Sequence, residues 1–181
     1  LLIVDEIQTG FYRTGPAFAV NPPNVKVDLL TMAKGIAGGF PFGAFAMSED
    51  IAQKIEIGDH GGTYCGNPLG CAVSHAVISY LLEHDIENHV KTVGAYTLER
   101  LQQWQQQYPD LIAEVRGRGL LIALEFNDQE IASRIYKQSL SEGLLLNFIH
   151  GTIFRIFPAL TITQEEIEEG LNILQQIIES V

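Results

Sequence analysis

Short apolar runs separated by turn residues dominate the first part of the chain. The first four residues are all apolar, and further apolar runs at 29–33 and 42–47 predict two more strands. A continuous apolar run is typical of a strand buried on both faces, the kind found in parallel sheets. Turn clusters at 13–16 and 21–24 separate the strands. Because a buried strand is a poor place for a natural N-terminus, we expect the chain to be the C-terminal part of a longer protein.

A helix is predicted to begin at Asn67, because Asn is a good helix cap and Pro68 fits the first helical position. Three-and-four spacing then places a set of apolar side chains on one stripe of this helix. The stripe consists of Leu69, Ala72, Val73, Ala76, Val77 and Tyr80.

The pattern changes at about residue 85, where charged and glutamine-rich segments begin. A long helix is predicted here, ending at Tyr108-Pro109. A tight turn at 116–119 then precedes a strand at 120–126. The apolar positions of the long helix are Val90, Leu98, Leu101 and Trp104.

The last third of the chain predicts two helices and a hairpin. A helix from about Gln129 ends at Gly143, a typical C-cap, and strands at 144–149 and 152–157 flank a turn at His150-Gly151. The spacing of Thr163 and Glu166 predicts a capping box at the start of the final helix. Its inward positions are Ile167, Leu171, Leu174 and Ile178. This part of the chain is therefore expected to be a compact α+β unit.

Composition narrows the functional classes. The chain has 181 residues, with 11 Lys+Arg against 22 Asp+Glu, and its net charge of −11 argues against a nucleic-acid or anionic-membrane surface. No run approaches the roughly 20 apolar residues of a membrane span. Cys65 and Cys71 lack CxxC spacing and the histidines lack metal-ligand spacing, so neither a disulfide framework nor a metal is expected. A reduced, cytoplasmic protein fits best.

Candidate chemistry lies at two predicted strand ends. Asp5 ends the first strand, and Lys34 follows the second and is itself followed by several glycines. Ligands of open α/β sheets bind just outside such ends, so the pair is a candidate cofactor site. Taken singly, a strand-end Asp is usually a turn former and a lone Lys a solvated charge.

An apolar strand ending in Asp5-Glu6 is also typical of the metal-binding strand of P-loop NTPases. That class needs a glycine-rich loop with a Gly-Lys pair, and no Gly-Lys pair occurs in this sequence. The NTPase hypothesis also leaves Lys34 and its glycines unexplained, so it ranks low.

Motifs spread along the whole chain carry a specific resemblance. They are LLIVDEIQTGFYRTG at 1–15, TMAKG at 31–35, GGFP at 38–41, HGGTYCGNPL at 60–69 and RGRGL at 116–120. In this order and spacing they resemble the class III aminotransferases, which use pyridoxal 5′-phosphate (PLP). The resemblance implies an α/β fold, the C-terminal part of a fold-type I PLP-dependent transferase. Residues 1–85 would then belong to the PLP-binding large domain and 86–181 to the small α+β domain.

The resemblance also implies roles for individual residues. Lys34 would hold the cofactor through a Schiff base and move the substrate proton, and Asp5 would face the pyridine nitrogen. Ile7 would pack on the ring and Gln8 would hydrogen-bond its phenolic oxygen. Thr63 would bind the phosphate of the cofactor in the neighbouring subunit, which implies a homodimer with shared active sites.

Substrates follow from the same resemblance. Arg155 matches the arginine that receives a substrate α-carboxylate. We expect transfer of an ω-amino group, from an acetylornithine, ornithine, 4-aminobutyrate or diamine type of donor, to 2-oxoglutarate. The family's phosphate-binding loop and ring-stacking aromatic are absent from this sequence, so the chain alone is expected to be inactive. A catalytically silent relative that acts as an interaction module stays open as an alternative.

Overall fold

The structure is a computed structural model that describes residues 1–21 and 25–181. The chain forms two compact units, Leu1–Glu87 and Asn88–Val181. The first contains β1 (Ile3–Asp5), β2 (Leu29–Met32), a 3₁₀ helix (Lys34–Ala37), β3 (Ala44–Met47), α1 (Glu49–Ala52) and α2 (Pro68–Glu83). The chain continues through α3 (Ile86–Gln107), β4 (Ile112–Arg118), β5 (Leu121–Phe126), α4 (Gln129–Ser141), β6 (Asn147–Ile149), β7 (Ile153–Ile156) and α5 (Gln164–Glu179). The turn predicted at 21–24 lies largely outside the described residues.

The first unit is built on a three-stranded sheet in the order β1-β2-β3. β1 runs parallel to β2 and β3 antiparallel to it, which confirms all three predicted strands. β2 and β3 are shorter than predicted, and β1 is shifted from 1–4 to Ile3–Asp5. The prediction that the first strand is buried on both faces is wrong, because Ile3 is 60% exposed and Leu1 is almost fully exposed. β1 lies at the sheet edge and pairs only with β2 among the described residues.

α2 begins as the sequence predicts, since the Asn67 side chain accepts a hydrogen bond from the Gly70 amide at 2.7 Å and Pro68 is the first helical residue. Its apolar stripe is largely exposed, with Leu69 at 62%. The buried positions are instead Gly70, Ser74 and Leu81. The small residue at 70 explains this orientation, because a Cβ there would lie within 2.4 Å of the Phe42 ring. The helix therefore buries the side that allows the closest approach.

The second unit is built on a four-stranded antiparallel sheet in the order β4-β5-β7-β6. The turn predicted at 116–119 is wrong, because residues up to Arg118 continue β4 and the turn is formed by Gly119 and Leu120. Gly119 has a φ of +57°, which suits glycine, whereas Gly117 pairs with Ile122 inside the hairpin. Gly119 thus forms the turn, whereas Gly117, two positions earlier, belongs to the strand.

The predicted hairpin at 144–157 is confirmed with shorter strands. β6 and β7 pair antiparallel, with Ile149 opposite Ile153. His150 and Gly151 both have positive φ, +54° and +80°, as tight hairpin loops require.

The helices of the second unit begin and end as the sequence predicts. Gly143, with a φ of +82°, follows α4, and Thr163 and Glu166 exchange the two hydrogen bonds of a capping box at the start of α5. The core combines these helices with α3 and with the inward residues of β5. It includes Val90, Leu101, Trp104, Ile122, Leu124, Phe126, Ile167, Leu171, Leu174 and Ile178. Within the described residues, none of the helices combines the length and the apolarity that crossing a bilayer requires.

Candidate functional site

Parallel pairing brings the ends of β1 and β2 to one edge of the first sheet. Asp5 lies opposite Thr31, and Lys34 follows three residues further along the chain. Both side chains belong to exposed residues. The carboxylate therefore lies at the end of β1 and the amine just after the parallel strand β2, at the edge where α/β sheets bind ligands.

The Asp5 carboxylate is oriented by the backbone that follows it. Its Oδ1 atom accepts a hydrogen bond from the Ile7 amide at 2.9 Å. Within the described part of the chain, Oδ2 accepts none. One oxygen is thus fixed, while the other is available to a cationic group of a ligand.

Lys34 has a backbone conformation that is rare for a residue with a side chain. Its φ is +46°, at the first position of the 3₁₀ helix. Ile36 and Ala37 of this helix are buried and anchor it in the unit. Strained residues of this kind cluster at functional sites, which makes Lys34 a candidate on grounds independent of its charge.

The segment that follows β1, residues 6–21, packs against the lysine-bearing helix. Phe11 is buried, and a Cβ built on Gly35 would lie 3.1 Å from the Phe11 Cβ. Phe11 and Tyr12 both have positive φ, +54° and +69°. Close packing thus links the loop after Asp5 to the residue that follows Lys34.

Ile7 and Gln8 lie half-buried in the first turns of this same segment. Arg13 is also half-buried there, and burial lowers its pKa to about 10, so that it stays a cation at neutral pH. Thr63 occupies a different place, the loop before α2, and is exposed.

Sequence reasoning missed Glu6, which the structure buries to 1% exposure beside Asp5. Its two carboxylate oxygens accept hydrogen bonds from the Thr9 hydroxyl and from the Val20 amide. In the sequence Glu6 is one of two adjacent carboxylates after an apolar run, which does not distinguish a buried acceptor from a solvated charge.

Arg155 lies in the second unit, on β7, in register with Ala123 of β5 and Asn147 of β6. Its guanidinium carbon lies 5.5 Å from the centre of the Phe157 ring, and its Nε atom is buried without a hydrogen-bond partner among the described residues. Arg155 also lines a cavity of about 340 Å³ whose other walls are mostly apolar. A buried donor without an acceptor is costly, which suits a site that receives an anion.

Comparison with known proteins decides the family. The family model described as "Aminotransferase class-III" matches residues 1–178. The chain belongs to the class III aminotransferases. This confirms the resemblance read from the motifs and does not support the NTPase or the interaction-module alternative.

Individual relatives agree with the family assignment. The chain is 42% identical over 178 residues to the mitochondrial acetylornithine aminotransferase of Yarrowia lipolytica, covering 98% of the chain and 42% of that protein. The crystal structure of acetylornithine aminotransferase from Elizabethkingia anophelis matches with a TM-score of 0.93 at 33% identity, covering 100% of the chain and 46% of that structure. An ornithine aminotransferase from Toxoplasma gondii, described with partial occupancy of PLP at its active site, matches with a TM-score of 0.91 at 32% identity, covering 100% and 43%.

These matches also define what part of the family the chain represents. The chain spans less than half the length of the relatives it matches, and it corresponds roughly to their C-terminal half. The mixed α/β fold matches that of PLP-dependent aminotransferases, as the motifs predict.

Proposed function

We propose that this chain supplies the lysine-bearing part of the active site of a PLP-dependent aminotransferase. The enzyme would transfer an ω-amino group from a donor of the ornithine or acetylornithine type to 2-oxoglutarate. One observation carries the proposal: Asp5 ends β1 and Lys34 follows the adjacent parallel strand β2, with a strained backbone at Lys34. Neither feature is needed for a purely structural sheet.

The residues at this sheet edge fit PLP. The free oxygen of Asp5 is a suitable acceptor for a protonated pyridine nitrogen, because opposite charges about 4 Å apart gain roughly 4 kcal/mol at an effective dielectric of about 20. When bound, PLP supplies a ring that withdraws electrons from the substrate carbon next to the reacting nitrogen. The Asp5 carboxylate maintains the positive charge on which this withdrawal depends.

Lys34 would act through its Nζ atom in two ways. Its amine would hold the cofactor covalently in the absence of the amino donor. Once released, the same Nζ would take the proton from the carbon that bears the donor's amino group and pass it to the carbon of the cofactor that accepts the amino group. The exposed position of the residue leaves its side chain accessible for both steps.

Three further residues would complete the contacts that this chain makes with the cofactor. Ile7 would pack on one face of the ring, and Gln8 would donate to its phenolic oxygen. The exposed Thr63 would bind the phosphate of the cofactor held by a second subunit, in a homodimer with shared sites.

Arg155 would receive the α-carboxylate of the substrate. Support comes from its buried, unpartnered Nε and from the suitability of a guanidinium for bidentate carboxylate binding. The relatives are named as acetylornithine and ornithine aminotransferases, which favours these donors over 4-aminobutyrate and diamines. The domain boundary at 85/86, the cytoplasmic location and the inactivity of the isolated chain stay predictions.

A labelling experiment on the protein at its natural length tests the proposal. The protein is incubated with PLP, reduced with borohydride, digested and mapped by mass spectrometry. We expect one pyridoxyl group per chain, on Lys34, and amino transfer from ornithine or acetylornithine to 2-oxoglutarate. Lys34→Ala should abolish the label and lower kcat by about 10²–10⁴-fold, the range typical for loss of a proton-transferring group.

Lys54→Ala, at an exposed lysine outside the sheet edge, is the matched control and should retain both label and turnover. A stoichiometric label on any other lysine, or full turnover in Lys34→Ala, would refute the proposal.

A further inference from the structure

Glu6 is the most deeply buried carboxylate in the first unit and has no place in the chemistry proposed above. It is 1% exposed, although it follows β1 directly and lies next to the exposed Asp5. A buried carboxylate is costly unless hydrogen bonds satisfy its oxygens. What Glu6 binds should therefore explain why it is buried.

Both oxygens of Glu6 are used to close the segment that follows it. Oε2 accepts from the Thr9 hydroxyl, and Oε1 accepts from the Val20 amide at 2.8 Å, fourteen residues further along the chain. The Glu6 backbone adds two bonds, from its amide to the Thr31 carbonyl and from the Gly10 amide to its own carbonyl, each at 3.0 Å. One residue thus joins β2, the first turn of the segment and its far end.

The closed segment contains the candidate cofactor residues and contacts the lysine helix. Ile7, whose amide orients Asp5, lies in its first turn, and Phe11 packs against Gly35, the residue after Lys34. The space is tight, since a Cβ on Gly10 would lie 2.8 Å from the Glu6 carbonyl. A shift of the segment would therefore disturb both the carboxylate and the amine.

We propose that Glu6 is a positioning residue, which fixes the segment of residues 7–20 so that Asp5 and Lys34 keep their relative places. It touches neither cofactor nor substrate and acts through Ile7 and Phe11. The inference rests on the proposed function for its catalytic meaning, while the closure itself is a property of this chain.

The test uses Glu6→Gln and Thr9→Val in the protein at its natural length. Glu6→Gln keeps the shape but has one acceptor oxygen in place of two, and Thr9→Val removes the donor hydroxyl at similar volume. In hydrogen exchange by mass spectrometry, Glu6→Gln should make the amides of residues 7–20 exchange about tenfold faster, the effect expected for losing a hydrogen bond to a charged group. The amides of β4–β7 should be unchanged.

Cofactor binding provides the second readout. Glu6→Gln should weaken PLP binding about tenfold and shift the visible absorption band of the bound cofactor, which a merely structural role would not move. Thr9→Val should act in the same direction but more weakly. Because Glu6 and Thr9 share one hydrogen bond, the double variant should weaken PLP binding by less than the sum of the two single effects.

Glu83→Gln, at an exposed carboxylate on α2, is the matched control and should change neither readout. The inference is overturned if exchange in 7–20 stays at the wild-type rate, or rises equally over the whole chain, in Thr9→Val and in any folded Glu6→Gln. If Glu6→Gln does not fold, Thr9→Val decides alone. If the wild type binds no PLP, the proposed function fails, and the exchange data still decide whether Glu6 closes the segment.

Discussion

Asp5 and Lys34 are held in place by different means. The side chain of Asp5 is fixed by the Ile7 amide, whereas Lys34 is fixed through its backbone, by a left-handed conformation and a buried 3₁₀ helix behind it. Asp5 therefore offers one oriented oxygen, while the long side chain of Lys34 keeps the freedom to move. This division suits a carboxylate that stays in one place and an amine that has to move a proton.

Asp5→Asn separates the charge of this carboxylate from its structural bond. The amide oxygen can still accept from the Ile7 amide, so the fold should be kept. Loss of roughly 4 kcal/mol of charge interaction should lower kcat by about 10³-fold in the protein at its natural length. Steady-state kinetics with saturating PLP measures this effect.

Asp59→Asn is the control, because Asp59 also accepts a hydrogen bond from a backbone amide, that of Glu56 at 2.9 Å, but belongs to the loop between α1 and α2. Its kcat should match the wild type. A wild-type kcat in Asp5→Asn would remove Asp5 from the proposed chemistry.

The sequence predicted the positions of Asp5 and Lys34 because strand ends follow from the hydrophobic pattern. It could not predict the role of Glu6, because that role depends on the return of the chain at Val20. The same holds for the strain at Lys34, since a positive φ in a residue with a side chain leaves no mark on composition or periodicity.

At the scale of elements, glycines decide how closely helices and strands approach one another. Gly94 in α3 faces the turn between β4 and β5, where a Cβ would lie 2.4 Å from the Gly119 carbonyl oxygen. Gly170 in α5 is different, because a Cβ there would meet only Leu144, at an ordinary contact distance of 3.5 Å. The two glycines occupy the interiors of helices, yet only the first is required by packing.

Alanine at these two positions should therefore change stability in opposite directions. Gly94→Ala should lower the free energy of unfolding by about 1–3 kcal/mol, the usual cost of overpacking. Gly170→Ala should raise it by up to about 1 kcal/mol, since alanine is the better helix former. Urea unfolding of both variants measures the difference, and equal signs would contradict this account of Gly94.

At this scale the sequence pattern predicts which segments are helices and strands better than it predicts which of their sides are buried. The capping box at Thr163 and the glycine after α4 were predictable, because they depend on local hydrogen bonds. Residues 116–118 of the turn predicted at 116–119 are in fact the end of β4, since glycine in a strand and glycine in a turn look alike in sequence. The exposure of the α2 stripe was not predictable either, because it depends on which side of the helix meets Phe42.

At the scale of the whole molecule, the chain corresponds to only part of the length of its relatives. It matches less than half of each relative's length, and the loop with Thr63 is exposed. A site shared between subunits would explain why Thr63 is exposed on its own unit. Subunit exchange in the protein at its natural length can test this arrangement.

Hybrid dimers of Lys34→Ala with Thr63→Val should regain activity if sites are shared. Thr63→Val alone should lose activity at limiting PLP. In the hybrid, one site would combine both changes and the other would have neither, so the hybrid should show about half the wild-type activity per dimer. If each subunit uses its own Thr63, no site is intact, and activity stays at the level of the unmixed variants.

The open edge of β1 has a practical consequence. Its side chains at Leu1 and Ile3 are exposed, and no other strand of the described residues pairs with its outer side. Such an edge is a template for strands of other molecules. A concentrated preparation of these 181 residues alone should therefore aggregate, and a dilute sample should stay monodisperse.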